Sequence, residues 1–323
     1  MDLFDRLPDT LVLDILNRVG DVKTLIRCRS VSKRLNSLVP QSESLLLRLD
    51  HESDTEFDSP VVGFFRSLFK SLHDLLPLFP RPVHPTRPPK NPAQILSGFD
   101  RIQNLEVEFP GGDINLEKGA AVKWKAEFGK TLRSCVIVAF RSVTVSKECS
   151  GEREGTAESD VEFVSGLKTR VVWTVSALMA ASARHLRMKE VAKEHKEMER
   201  VVLRDREGEG TVVMDTEGLR EYASEAAERD GEDGGERVGE VERGRTVVPS
   251  VRMSMRHAPS LRLKSGICLE GATLVVVRPS GATGDDDLAA EAFAGDMGGD
   301  CMYGEAVAAL LKRRRNVLEM NSF

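Results

Sequence analysis

The sequence predicts an α+β or α/β protein: three short N-terminal helices, then an irregular region mixing helices and strands. Three observations carry this expectation. Apolar residues recur every four positions from Leu7 to Val19, the spacing of one helix face. Short runs rich in Val, Ile and Phe, such as NLEVEF at 104–109 and ATLVVV at 272–277, read as strands. Between these two kinds of pattern, Pro77 to Pro92 holds seven of the fourteen prolines, which neither a helix nor a central strand tolerates.

The helices come first. Pro8 suits a first helical position, because its missing N–H would be unpaired there anyway. Leu7, Leu11, Ile15 and Val19 form one apolar row, with Val12 and Leu16 beside it. Gly20 is a natural stop, and Asp21 an N-cap for a second helix carrying Val22, Leu25 and Cys28. Ser30 or Ser32 opens a third, with Val31, Leu35 and Leu38 as its apolar positions. About forty residues is near the size below which a chain needs a disulfide, a metal or a partner to stay folded. One cysteine and no histidine leave a protein partner, or the rest of the chain. Pattern alone therefore allows two readings, a helical cap packed on the remainder or a docking surface.

Leu45 to Leu49 reads as a continuation of this helical unit, and Asp50 to Asp58 as an acidic break. Phe64, Phe65, Leu68, Leu72 and Leu75 predict an amphipathic helix over 61–76. The proline run then favours an extended conformer. The domain organisation expected is 1–50 for the helical unit, 51–92 for amphipathic helix and linker, and 93–323 for the larger region.

Within 93–323, strands are predicted at 104–109, 134–140, 200–203, 211–214, 251–255 and 272–277. A long helix is predicted over 167–186, a charged one over 189–200, and a last one over 303–318 facing inward through Val307, Leu310, Leu311 and Leu318. The LEVEF-type strands resemble leucine-rich-repeat edges, but their spacing is too irregular for a solenoid. The expectation is an irregular α/β domain, at most distantly leucine-rich-repeat-like. Three acidic or Gly-rich stretches, near 148–162, 217–245 and 281–300, predict disorder. The second carries ten acidic and five basic residues.

Composition excludes several classes. The chain has 323 residues, 41% hydrophobic and 30% charged, with aromatics at 5% and a formal charge of −5. That balance offers no footprint for nucleic-acid backbones and few stacking platforms for bases. The apolar-leaning run Val171–Ala183 is interrupted by Thr174, Ser176 and Ser182 and falls short of the about twenty residues a membrane span needs. Five scattered cysteines and a Met-Asp-Leu-Phe-Asp start without a leader pattern predict reduced thiols in cytosol or nucleus.

Catalytic and cofactor signals are missing. There is no C-x-x-C, no G-x-S-x-G, no G-x-x-x-x-G-K and no G-x-G-x-x-G. Gly129-Lys130-Thr131 mimics only the end of a P-loop, and Gly208-Glu209-Gly210 reads as a turn. Asp285-Asp286-Asp287 lacks the alternating ligands of a calcium loop. Cys135 and Cys268 sit in apolar runs, where a free cysteine packs as a small hydrophobe. No catalytic residue, cofactor or metal is expected.

Leu7-Pro8, Ile15-Leu16, Val19, Leu25, Arg27-Cys28 and Val31-Ser32-Lys33-Arg34 resemble an F-box, with Leu35 where that family often has Trp. The run from Ile15 to Arg34, the ALMAASARH run at 177–185 and the C-terminal LKRRRNVLEMNSF are similar to a plant F-box group described as auxin-up-regulated. The resemblance implies a non-catalytic subunit of a Skp-cullin-F-box ubiquitin ligase, with a Skp-type adaptor, the cullin core and an unknown protein substrate as partners. It assigns adaptor contact to Leu7, Pro8, Leu11, Ile15, Leu16, Val19, Leu25, Cys28, Val31, Ser32, Lys33 and Leu35. A role in auxin signalling and a nuclear or cytoplasmic location follow from the same resemblance. The alternative is an F-box scaffold that binds the adaptor without promoting ubiquitination. Lys312, Arg313, Arg314 and Arg315 have two readings, a basic helix end or an exposed nuclear-import run.

Overall fold

A computed structural model describes residues 6–49, 91–111, 119–145, 166–230, 250–294 and 301–320. The amphipathic stretch 61–76, the proline run up to Pro89 and the acidic stretch 148–162 lie outside them.

Three helices open the fold: α1 (Asp9–Val19), α2 (Val22–Arg29) and α3 (Lys33–Leu38). Each boundary has a local cause. Pro8 caps α1 from outside the helix rather than occupying its first turn, and Gly20 ends it at φ 59°, donating its N–H to the Leu16 carbonyl at 2.9 Å. The Asp21 side chain accepts from the Thr24 N–H at 3.0 Å and starts α2. Ser32 rather than Ser30 caps α3, its hydroxyl accepting from Leu35 N–H at 3.1 Å.

Leu45–Leu49 does not prolong this helical unit. Ser44–Arg48 forms β1, paired in parallel with β2 (Asn104–Phe109) in the register Leu45↔Leu105 and Leu47↔Val107. Leucine is a good helix former, but here alternate leucines fill a core shared with β2, and pairing overrides propensity. A short helix α4 (Pro92–Leu96) brings the chain back, and the backbone N–H of Asp100 donates to the Pro40 carbonyl at 2.7 Å.

The sheet is mixed and, among the described residues, ten-stranded. It adds β3 (Ala121–Phe128), β4 (Leu132–Phe140), β5 (Ser142–Val145), β6 (Arg200–Asp205), β7 (Gly210–Met214), β8 (Val251–Arg262), β9 (Ile267–Pro279) and β10 (Asn316–Met320), in the order β1-β2-β6-β7-β3-β4-β9-β8-β10 with β5 on β9. The stacking a leucine-rich repeat would continue throughout is confined to the parallel trio β1, β2 and β6, with β3–β7 the other parallel pair. Every remaining pair is antiparallel. The architecture is α+β.

Helices cover both faces. The long helix α5 (Leu167–Arg187) packs on β3, β4 and β7, followed by α6 (Lys189–Glu194) and α7 (Thr216–Asp230). Two helices lie on the opposite face, α8 (Asp285–Ala292) over β4 and α9 (Cys301–Leu310) beside it over β8 and β9. This explains the unbroken apolar run of β4. Cys135, Ile137 and Ala139 enter one core, while Val136, Val138 and Phe140 enter the other, the pattern of a strand buried on both sides.

Four expectations change. The stretch 217–245 is not wholly irregular: its first part is α7, capped by Asp215, which accepts from the Gly218 N–H at 2.7 Å, and anchored by buried Leu219 and Tyr222. The stretch 281–300 contains α8, tied down by buried Asp285. The last helix ends at Leu310, and Asn316–Met320 is a strand on β8 rather than its continuation. Of the thiols, Cys28 and Cys135 are free, while Cys268 is disulfide-bonded, so reduced thiols do not hold throughout.

A buried ion pair clamps α5 to the sheet. Arg184 donates to the Asp205 carboxylate at 2.9 Å and to the Gly210 carbonyl at 2.7 Å, its guanidinium lying 4.9 Å from the Trp124 ring centre. Asp205 also accepts the backbone N–H groups of Glu209 and Gly210 at 2.6 and 2.7 Å, closing the β6–β7 turn.

Candidate functional site

The N-terminal helices present two apolar faces that serve different purposes. Val12 and Leu16 of α1, Val22 and Leu25 of α2, and Leu38 of α3 are buried and join the core that contains Leu45, Leu105 and Phe99. One residue around α1, the row Leu11, Ile15 and Val19 points outward at 47%, 40% and 43% exposure. Ile26 of α2 and Val31 in the α2–α3 turn add 42% and 73%. Scattered exposed leucines need no explanation; here five large apolar side chains stand exposed on one forty-residue unit, three of them in a single helical row.

The twelve residues singled out from sequence therefore divide. Leu11, Ile15, Val19 and Val31 are exposed, as are Pro8, Ser32 and Lys33. Leu16 and Leu25 are buried, and Leu7, Cys28 and Leu35 are partly buried against the same core. Direct contact is open to the first group. The buried residues instead fix the angle at which the helices present it. Ser32 has a structural task as the α3 cap.

Sequence reasoning missed Ile26, whose neighbour Leu25 claims the inward phase of α2. It also assigned no role to four polar residues that set the helices' geometry. Arg34 bonds to the Leu7 carbonyl and pairs with Asp9 at 2.6 Å, tying the start of α1 to α3. The Asn17 side chain accepts from the Glu43 N–H at 2.8 Å, and Arg29 donates to the Gly98 carbonyl at 3.4 Å. Arg48 bridges Asp21 and Glu108, both at 2.9 Å. The hydrogen bond from Thr24, with Arg48 nearby, holds the Asp21 carboxyl below its ordinary value. Partial burial works to raise Glu108, but hydrogen bonds from Arg204 and Arg48 outweigh it and hold that carboxyl down. These links seat the helices on the sheet as one unit.

Elsewhere several titratable groups are engaged in packing and ion pairs. His185 stacks on Phe128 at 4.4 Å and lies 4.3 Å from Tyr222, and burial pushes it down to about 4. Burial likewise holds His257 at about 4. Burial drives the Cys135 thiol far up, the opposite of what a nucleophile needs. Asp285 pairs with Arg252 at 3.2 Å, with Arg278 and Arg315 at 4.0 and 3.9 Å, and Asp286 with Arg256 at 2.8 Å, so these two carboxylates are spent on arginines. Gly129-Lys130-Thr131 is the β3–β4 turn, and Gly208 at φ 73° is in the β6–β7 turn. Among the described residues, no group of His, Cys, Asp and Glu is arranged to hold a metal, and no helix is long and apolar enough to cross a membrane. Lys312 to Arg315 occupy the turn that closes the C-terminal end of α9 and leads into β10, all four exposed; the Lys312 and Arg313 N–H groups donate to the Ala309 and Leu310 carbonyls at 3.3 and 2.9 Å.

Residues 4–50, the unit that carries the apolar row, match the F-box-like family model. Over its full length the chain is 68% identical to the F-box protein AUF1 of Arabidopsis thaliana, covering all of that protein. The chain belongs to the F-box proteins. It falls in the plant auxin-up-regulated group, being also 65% identical to F-box protein AUF2 of the same plant over both complete chains. A third F-box protein of Arabidopsis thaliana is 35% identical over the whole chain and 94% of its own length. No solved structure matches. The F-box implies a Skp-type adaptor as partner, and F-box proteins are in general non-catalytic members of their ligases.

Proposed function

We propose that this F-box protein is a substrate-recruiting subunit of a Skp-cullin-F-box ubiquitin ligase, and that its α+β region holds a target protein while the adaptor grips α1 and α2. The observation that carries the reading is the outward row Leu11, Ile15 and Val19 with Ile26 and Val31 beside it. Burying an exposed Leu or Ile contributes about 1.5–3 kcal/mol. The row is already about half covered, so each side chain brings about 1 kcal/mol. Several of them, on helices fixed by the Arg34 and Arg48 links, supply an adaptor interface without any chemistry of the chain's own. Catalytic benefit comes from proximity, because tethering turns a bimolecular encounter into a local one. Exposure of Lys312 to Arg315 supports residence in the nucleus as well as the cytoplasm, and the naming of the relatives supports a place in auxin signalling.

The test is ubiquitination of proteins that co-purify with the chain from plant cells, comparing wild type with Ile15→Asp plus Val19→Asp. Ubiquitination that disappears in the variant supports substrate recruitment. Adaptor binding without any F-box-dependent ubiquitination would replace it by the scaffold reading.

A further inference from the structure

The two edges of the sheet are treated differently. At one end, the outer side of β1 is sealed by the F-box helices: the Leu46 N–H donates to the Gly20 carbonyl at 2.8 Å, and Asp21 bridges to Leu46. At the other end β10 pairs with β8 through Asn316↔Met255 to Met320↔Val251, and among the described residues no strand lies on its far side. An open edge presents unpaired N–H and C=O groups, which proteins blunt with prolines, bulges or charges along the strand. β10 reads Asn-Val-Leu-Glu-Met, with one charge, no proline and an unbroken register, and Val317 is 46% exposed.

The residues leading into this edge state what fits it. Lys312, Arg313, Arg314 and Arg315 are exposed in the turn before β10, in a chain of net charge −5. Arg252, Arg256 and Arg278 lie beneath them on β8 and β9, with Asp285 and Asp286 as their paired carboxylates. Arg315 also reaches Asp285 at 3.9 Å, so four arginines share these two carboxylates and the positive charge is in surplus. A second copy of the same strand would bring its own basic turn. An acidic strand is the complement, and backbone pairing would give it affinity where charge gives it register.

We propose that β10 is the edge on which a target protein adds an extended, acidic segment as an additional strand, its carboxylates set against Lys312 to Arg315. This deepens the substrate-recruiting reading above and rests on it. Along the order of the sheet, eight strand spacings separate β10 from β1, which places the target about 40 Å from the adaptor-facing edge.

The experiment uses the full chain and a short fluorescent peptide of alternating Glu and Val, followed by anisotropy and by backbone hydrogen exchange at 316–320. The expected result is saturable binding that weakens with salt, new protection at 316–320, and at least about a tenfold loss of affinity in Arg313→Glu plus Arg314→Glu. The peptide with Lys in place of Glu should not bind. Adaptor affinity should be unchanged in the charge-reversed chain, so the edge and the F-box fail or succeed separately. No binding, or binding without protection at 316–320, would overturn the proposal. So would slow exchange there before peptide is added: lost on dilution, it would mean a second copy on the edge, and persisting, a segment of the chain itself.

Discussion

Arg184→Met tests the clamp between α5 and the sheet. The side chains of Arg184 and Asp205 are 3% and 4% exposed, and water cannot replace the lost cation. Asp205 would keep its two backbone donors from Glu209 and Gly210 but lose its counter-charge, and the Gly210 carbonyl would lose a donor at 2.7 Å. Removing one partner of a buried pair costs about 3–5 kcal/mol. Methionine recovers some packing between Phe109 and Trp124, which places the expectation near the lower bound, about 3 kcal/mol. Asp205→Asn should cost less, about 2 kcal/mol, because the amide oxygen still accepts hydrogen bonds and Arg184 retains the Gly210 carbonyl. Urea unfolding is the assay, with the loss read from the midpoint at constant slope. A loss in Arg184→Met below about 1 kcal/mol at unchanged slope would show that the pair is not a clamp.

Acid should destabilise the protein through two histidines, His185 buried and His257 half-buried. His185 and His257 titrate near 4 in the folded chain against 6.5 as the ordinary value. The unfolded state therefore takes up protons first as pH falls below 6.5, and each histidine's contribution is lost between there and about 4, in total about 3 kcal/mol apiece. His185→Phe, keeping the stack with Phe128 and Tyr222, should flatten that part of the pH dependence in unfolding titrations. Gly210→Ala should lower the stability by about 1–3 kcal/mol, since its Cβ would lie 2.2 Å from the Trp124 ring. Leu16→Ala should cost about 2–5 kcal/mol of stability, whereas Leu11→Ala should leave the melting temperature nearly unchanged and weaken adaptor binding severalfold.

The fold was legible where side-chain period and tertiary context agree. Asn104–Phe109 alternates and is half-buried as β2, and Leu167–Leu186 is long enough to read as a helix from its own pattern. The failures share a cause. Leu45–Leu49 and Val317–Leu318 are strands because partners on β2 and β8 fix them, and those partners are distant in sequence. β3 (Ala121–Phe128), by contrast, carries a clean alternation, with Val122, Trp124, Ala126 and Phe128 buried and Lys123, Lys125 and Glu127 turned outward, a period-two signal that the strand expectations left out. α7 was masked by acidic composition, although Leu219 and Tyr222 bury it on the core. The site was legible in identity more than in orientation. Leu11, Ile15, Val19 and Leu16, Leu25 are equally apolar in sequence, and only the position of the sheet decides which face it takes and which it leaves outward.

The central claim is that the outward row, and not the buried one, carries adaptor docking. Titrating the purified chain with a Skp-type adaptor tests it, comparing wild type with Ile15→Asp plus Val19→Asp while circular dichroism and melting monitor the fold. The account predicts binding by wild type and at least about a hundredfold loss in the variant, because two carboxylates would be buried unpaired in the interface, with helical signal and melting temperature retained. A variant that binds like wild type, or a wild type that does not bind at all, would contradict it.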